Sequence, residues 1–256
     1  MNSICKFLFL NLFLLIFCNE CFCRCMVFIP NGNYVPLFRN SNLDYLEHEV
    51  DSFYLDKYQV TNFDYLIFVL NNPFWDTLTK KDILVDDSYL NYWSNIDNFV
   101  IYADKPVVNV SWFSSDAFCN FYDSRLPSVD EWEYVGSVGA KTINGKSEPG
   151  YFNLLSLYIN SSLNDISTVF DMPCNFFGAC GIHFFLWEWV HDFNSVILIN
   201  TDAEGGGLEE LLYCGATSTN AIDPADYIAF LRFAFRNTLD ANYTMIKLGF
   251  RCAKDK

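Results

Sequence analysis

One domain that mixes short strands, short capped helices and much coil is what this 256-residue sequence predicts. Three observations carry that expectation. No Pro-, Gly- or Ser-rich stretch long enough to act as a linker divides the chain. Apolar runs are brief and bounded by turn residues, and helix starts are marked by capping sequences instead of long periodic stretches. Finally, 52% hydrophobic residues, among them 26 Phe and 15 Tyr, supply ample apolar surface for a core, which argues against disorder.

Taken in order, residues 1–25 open with Lys6 and an apolar run from Phe7 to Phe17, too short to span a bilayer as a stable helix. They read as a secretory signal peptide with a cut near Arg24, after Cys21-Phe22-Cys23. The chain would then be exported, to a periplasmic or extracellular place, and membrane contact is expected only if this leader stays uncleaved. Residues 26–256 form the expected domain.

Met26-Val27-Phe28-Ile29-Pro30 is a strand candidate ended by Pro30 and an Asn31-Gly32-Asn33 turn, and Val50 to Leu55 is a second. Thr61 with Asp64 marks a helix start, after which Phe63, Leu66, Ile67 and Leu70 recur at helical spacing until Pro73. Residues 71–108 show no sustained period and read as coil pinned by Trp75, Tyr89, Tyr92 and Trp93. Ser114 or Ser115 is expected to cap a short helix through Phe118, Cys119 and Tyr122. Ser128 and Glu131 form a capping box, the hydroxyl reaching the Glu131 N–H and the carboxylate reaching back.

Residues 139–173 read as loop. In Trp187-Glu188-Trp189-Val190 a carboxylate lies between two Trp and, once buried, needs a partner. Gly205-Gly206-Gly207 lacks the strand and helix of a phosphate loop and reads as a turn.

Charge narrows the partners. A formal net charge of -15 repels polyanions, so nucleic acid and acidic membrane surfaces are excluded as partners, while cations and neutral ligands are not. Half of the 10 cysteines (Cys5, Cys18, Cys21, Cys23, Cys25) fall in the leader. The body keeps Cys119, Cys174, Cys180, Cys214 and Cys252, an odd set that leaves at least one thiol over in an oxidising compartment.

Four ordered segments carry a family resemblance. They are Met26-Val27-Phe28-Ile29-Pro30; Pro106-Val107-Val108-Asn109-Val110-Ser111-Trp112 leading to Arg125-Leu126-Pro127 and Glu131-Trp132-Glu133-Tyr134; Trp187-Glu188-Trp189-Val190; and Gly249-Phe250-Arg251-Cys252. In this order they resemble the formylglycine-generating-enzyme-like, or sulfatase-modifying-factor, family. Val35-Pro36-Leu37-Phe38, Asp192-Phe193-Asn194-Ser195, Cys214-Gly215-Ala216 and the run from Asp226 to Arg236 are more specifically similar to the subgroup encoded beside nitrite-reductase genes. The resemblance implies a compact, coil-rich α+β fold related to C-type lectins.

It also implies chemistry. Formylglycine-generating enzymes hold copper on two cysteines just upstream of an Arg-x-x-x-Arg run, soft thiolates suiting Cu(I). Aligned on Arg232 and Arg236, those positions here are Asp223 and Ile228, neither a thiolate, so copper is not expected. Cys214, upstream of the same run, is the candidate nucleophile or ligand, against the ordinary structural role of a single cysteine. The resemblance pairs Cys119 with Cys252. Cys174 and Cys180 are near enough in sequence to pair with each other, which would leave Cys214 free.

The family also binds calcium through oxygen donors ending at the position of Glu188. Here the earlier ligand and glycine positions are Gly181 and Phe184, so a side-chain ligand is lost and the turn altered. His183, Glu188 and His191 are a second metal candidate, of the His/carboxylate kind. The plainer reading of Glu188 is a core carboxylate accepting hydrogen bonds. Arg125, Arg232, Arg236 and Arg251 read as guanidinium forks that pin coil, or as anchors for a substrate carboxylate. The implied function is an accessory or maturation factor for a redox or metalloprotein partner. The alternatives are a lectin-like module binding peptide or sugar, and an oxygen-using enzyme with a different metal site.

Overall fold

A computed structural model describes residues 24–37, 47–77, 83–94, 102–151, 168–182, 186–194 and 227–256. The leader up to Cys23, His183, Phe184, the Gly205-Gly206-Gly207 turn, Cys214 and Asp223 lie outside the described residues.

Strand β1 (Met26–Ile29) pairs antiparallel with β4 (Phe53–Asp56), and β2 (Gly32–Tyr34) with β3 (His48–Val50). The expected single strand from Val50 to Leu55 is therefore two. The register nevertheless runs on unchanged, from Ile29 opposite Phe53 to Gly32 opposite Val50. The two pairs are one ribbon, interrupted where Pro30 has no N–H to give to the ladder. The sequence reading of Asn31-Gly32-Asn33 as a turn is corrected with it, because Gly32 and Asn33 belong to β2.

On the other edge of β4, Tyr54 faces Lys254 of β7 (Ala253–Asp255), completing a three-stranded sheet. Arg125 and Ala253 exchange backbone hydrogen bonds of 2.8 and 2.7 Å, so the C-terminal segment is gripped from both sides. A disulfide between Cys119 and Cys252 adds a covalent tie across 133 residues. In the chain-entropy picture a loop of that length stabilises by about 5 kcal/mol. A second disulfide joins Cys174 and Cys180.

Helix α1 (Asn62–Asn71) starts at Thr61, whose hydroxyl accepts from the Asp64 N–H at 3.1 Å while the Asp64 carboxylate accepts from the Thr61 N–H. Its inward face is Tyr65, Phe68 and Val69, whereas Phe63 and Leu70 are exposed. A helix apolar all round has no single hydrophobic stripe, so spacing alone does not tell which face turns in. Tyr65 stacks on Phe118 of α2 (Trp112–Phe121) at 5.6 Å, and Phe250 meets the Phe118 edge at 5.2 Å.

Helix α2 is capped by Ser111, with Ser114 as the reciprocal partner, three residues before Ser114 and four before Ser115, the two caps expected from the sequence. A serine at N3 closes the box as well as an acidic side chain does, and that shifts the boundary. Helix α3 (Val129–Gly136) begins at Ser128 with the Glu131 box intact. The coil before α2 is held by Asn62, whose side-chain amide donates to the Tyr102 and Lys105 carbonyls and accepts from Tyr92 and Trp93.

Helix α4 (Tyr227–Arg236), not read from the sequence as an element, packs Phe235 flat against Trp187 at 4.3 Å. Among the described residues no helix is long and apolar enough to cross a membrane.

Candidate functional site

Two short strands build the centre. Strand β5 (Trp187–Glu188) runs parallel to β6 (Leu248–Gly249), placing Glu188 beside Gly249 and two residues short of Arg251. A β-carbon on Gly249 would stand 2.4 Å from the Val107 carbonyl oxygen, so this approach requires glycine. Helix α3 supplies Trp132, and the coil before α1 supplies Gln59.

Glu188 and Arg251 form a bidentate ion pair in which both side chains are wholly buried. Arg251 donates from Nε to Oε2 and from a terminal nitrogen to Oε1, both at 2.8 Å. Gln59 adds a donor to Oε1 at 2.8 Å and Trp132 adds one to Oε2 at 2.9 Å. Four donors meet a carboxylate with about four lone-pair directions. The remaining Arg251 N–H groups go to the Asp56, Lys57 and Cys180 carbonyls, which satisfies the guanidinium fork.

This geometry decides how Glu188 can act. The Gln59 amide also donates to the Gly181 carbonyl at 2.9 Å, so an N–H₂ group stands between that carbonyl and the Glu188 carboxylate. Gly181 sits at φ +71°, and its missing β-carbon leaves the space that the Gln59 amide fills. Among the described residues, the donors around Glu188 do not fit a calcium ion. Glu188, a metal candidate in the sequence, is instead the acceptor at the hub of three chain segments.

His191 is exposed, lies edge-on to Trp112 at 6.0 Å and gives its backbone N–H to Pro127. Among the described residues it shares no hydrogen bond with Glu188, and no three His, Cys, Asp or Glu side chains converge on a cation position. His183 and Cys214 cannot be placed, lying outside the described residues.

A second hub adjoins the first through Trp132. Its neighbour Glu133 accepts from Arg232 at 2.6 Å and from Arg236 at 2.5 Å, and both guanidinium groups stand 5.2 Å from the Trp132 ring centre. Residues four apart on α4 share a face, which is why both reach one carboxylate. Burial pushes the Glu133 pKa up, but the charges of Arg232 and Arg236 outweigh it and hold the group at about 2. Ile228, one turn earlier on the same helix, is buried against Tyr151 and Trp187.

Facing α3 from the ribbon, Tyr34 gives its hydroxyl proton to Asp130, and His48 Nδ1 stands 3.5 Å from the other Asp130 oxygen. Burial, then the Asp130 charge, drive the Tyr34 pKa upward, so the phenol stays protonated. Arg125 forks onto Glu131 at 2.7 Å from two nitrogens and also reaches Asp255. Sequence reasoning gave the arginines a role but gave none to Glu133, Gln59 or Trp132. The four-residue spacing of Arg232 and Arg236 was a signal for a shared carboxylate.

The ordered placement of α3, the β5 and β6 pair and the closing Gly249-Phe250-Arg251-Cys252 has a counterpart in known sequences. Residues 18–256 match the sulfatase-modifying factor enzyme 1-like domain. The chain belongs to this family.

Among curated relatives of this family member, the serine/threonine-protein kinase pkn1 of Chlamydia caviae is 26% identical over 253 residues, covering 90% of this chain and 38% of the kinase. The formylglycine-generating enzyme of Bos taurus is 24% identical over 252 residues, covering 80% of this chain and 66% of the enzyme. The chain spans only 33% to 38% of the first curated relatives. Among solved structures, CarF aligns with a TM-score of 0.48 and 15% identity over 91% of this chain and 99% of its own. PvdO of Pseudomonas aeruginosa aligns at 0.47 and 16% over 90% and 94%.

Proposed function

We propose that this sulfatase-modifying-factor-like protein is an exported accessory or maturation factor for a redox or metalloprotein partner, akin to the nitrite-reductase-associated subgroup, and works without a copper–cysteine centre. The observation that carries the reading is Ile228. By the alignment on Arg232 and Arg236 it takes a copper-cysteine position, yet it is an apolar side chain 2% exposed, packed on Tyr151 and Trp187. An aliphatic group offers Cu(I) no donor. The arginines that follow are spent on Glu133, and the carboxylate at the family's calcium position on Arg251.

Metal analysis of the protein purified from its native compartment tests this. The reading expects no stoichiometric copper and a co-purifying redox protein. One copper per chain contradicts it.

A binding-module reading is favoured by a separate observation. Phe63 and Leu70 on α1, Phe74 after it and Phe121 on α2 are each at least 40% exposed. Exposed apolar side chains of this kind suit a peptide or sugar ligand.

A further inference from the structure

We propose that the disulfide between Cys174 and Cys180 is a thiol–disulfide exchange site that accepts two electrons from a dithiol protein. The two disulfides of the chain differ in kind. Cys119 and Cys252 are both 0% exposed inside the core, out of reach of any external thiolate. In the other pair Cys174 is exposed while Cys180 is 0% exposed, so an incoming thiolate has one sulfur to attack and the other is the leaving group. That asymmetry directs exchange, because the rate depends on access and on which sulfur is struck.

The loop between the cysteines is held without the bond. Asn175 gives its side-chain amide to the Val135 carbonyl at 3.0 Å and accepts from the Phe177 and Ala179 N–H groups at 3.1 and 3.0 Å. Its backbone N–H meets the Ala179 carbonyl at 2.9 Å. Cys180 is fixed from both sides, giving its N–H to Lys57 and accepting from Arg251. Opening the bond therefore leaves two thiols facing each other across a preformed turn, ready to close again. Phe176, within the loop, and Phe170, four residues before Cys174, are 55% and 54% exposed and offer a partner apolar contacts.

The chemistry balances. A partner thiolate attacks Cys174 Sγ, a mixed disulfide forms, and the electron pair of the broken bond leaves on Cys180 Sγ, which takes up a proton. The partner's second thiolate then attacks its own sulfur in the mixed disulfide and releases Cys174 as a thiol. The partner leaves oxidised by two electrons and the chain carries two thiols. The two sulfurs take no part in the copper-free reading above, although Arg251 touches both places, and the exchange stands or falls separately.

The test uses the purified exported chain carrying Cys25→Ser and Cys214→Ser, with a reduced Cys-x-x-Cys peptide as probe and mass spectrometry to locate thiols. Peptide oxidation about tenfold or more faster than by oxidised glutathione at equal concentration is expected, with Cys119 and Cys252 still joined and the melting curve still cooperative. A reduced Cys-x-x-Ser peptide, whose single thiol cannot release the mixed disulfide, is expected to be caught on Cys174 with Cys180 left as a thiol, whereas a chain carrying Cys174→Ser and Cys180→Ser catches none. Peptide oxidation no faster than by glutathione disulfide, trapping on Cys180, or opening of both disulfides only on unfolding would each overturn the proposal. Copper content does not enter any of these readouts.

Discussion

Glu188 and Arg251 lie 63 residues apart in sequence and meet with every carboxylate lone pair and the whole guanidinium fork engaged, both side chains at 0% exposure. A pair like this is costly to break from one side, because the survivor is left charged in a dry site. Glu188→Gln is expected to lower the unfolding free energy by about 3–5 kcal/mol. Glu188→Gln with Arg251→Met should cost less than the sum of the single changes, as partners in contact do. Urea unfolding of the four proteins measures both. Because Gln59 bridges Glu188 and Gly181, added calcium or a chelator should leave the melting temperature where it is.

Glu133 makes a pH prediction with a definite sign. Its folded pKa, about 2, lies below the ordinary 4.5. Its contribution is therefore complete above about pH 4.5 and declines as pH falls toward 2, by an amount on the order of 3 kcal/mol. The difference in urea midpoint between the native chain and Glu133→Gln should be largest at neutral pH and shrink below pH 4.5. A difference that stays constant down to pH 2 would contradict the ion-pair assignment.

The disulfides should differ in worth. Replacing Cys119 and Cys252 by Ala is expected to cost about 5 kcal/mol, and replacing Cys174 and Cys180 about 2, since the loops they close differ so much in length. Equilibrium unfolding of the two double variants gives the order, and the reverse order would discredit the placement of Cys252 just before the clamped C-terminal strand.

Helix α1 offers a test of orientation. Phe68→Ala removes a ring that packs on Tyr65 and Phe118 and should cost about 3–5 kcal/mol. Leu70→Ser and Phe74→Ser, on the outer side, should change stability by no more than about 0.5 kcal/mol. If the binding-module reading holds, those two changes weaken ligand capture while the melting curve stays put.

Local chemistry made part of this structure legible. Thr61 with Asp64 and Ser128 with Glu131 announce their helices because a capping box is complete within four residues. Ser111 was missed because its box closes through Ser114, a residue that reads equally well as the cap itself. The ribbon from β1 to β4 was legible as strands but not as one register, which depends on where Pro30 interrupts the ladder.

The site was less legible. That Glu188 needs a partner follows from its two Trp neighbours, but that the partner is Arg251 depends on β5 lying parallel to β6, a relation that sequence spacing does not encode. Glu133 stood in the sequence only as part of the Glu131-Trp132-Glu133-Tyr134 motif. Only the packing of α4 across α3 brings Arg232 onto it, from 99 positions away.

The central proposal is that the chain of this family works without the copper–cysteine chemistry. Titrating the purified chain with Cu(I) against a competing chelator, in the presence of oxygen and a cysteine-containing peptide, addresses it most directly. The account predicts no tight stoichiometric Cu(I) and no conversion of the peptide cysteine to formylglycine. One tightly held Cu(I) per chain with oxygen-dependent formylglycine formation would contradict it.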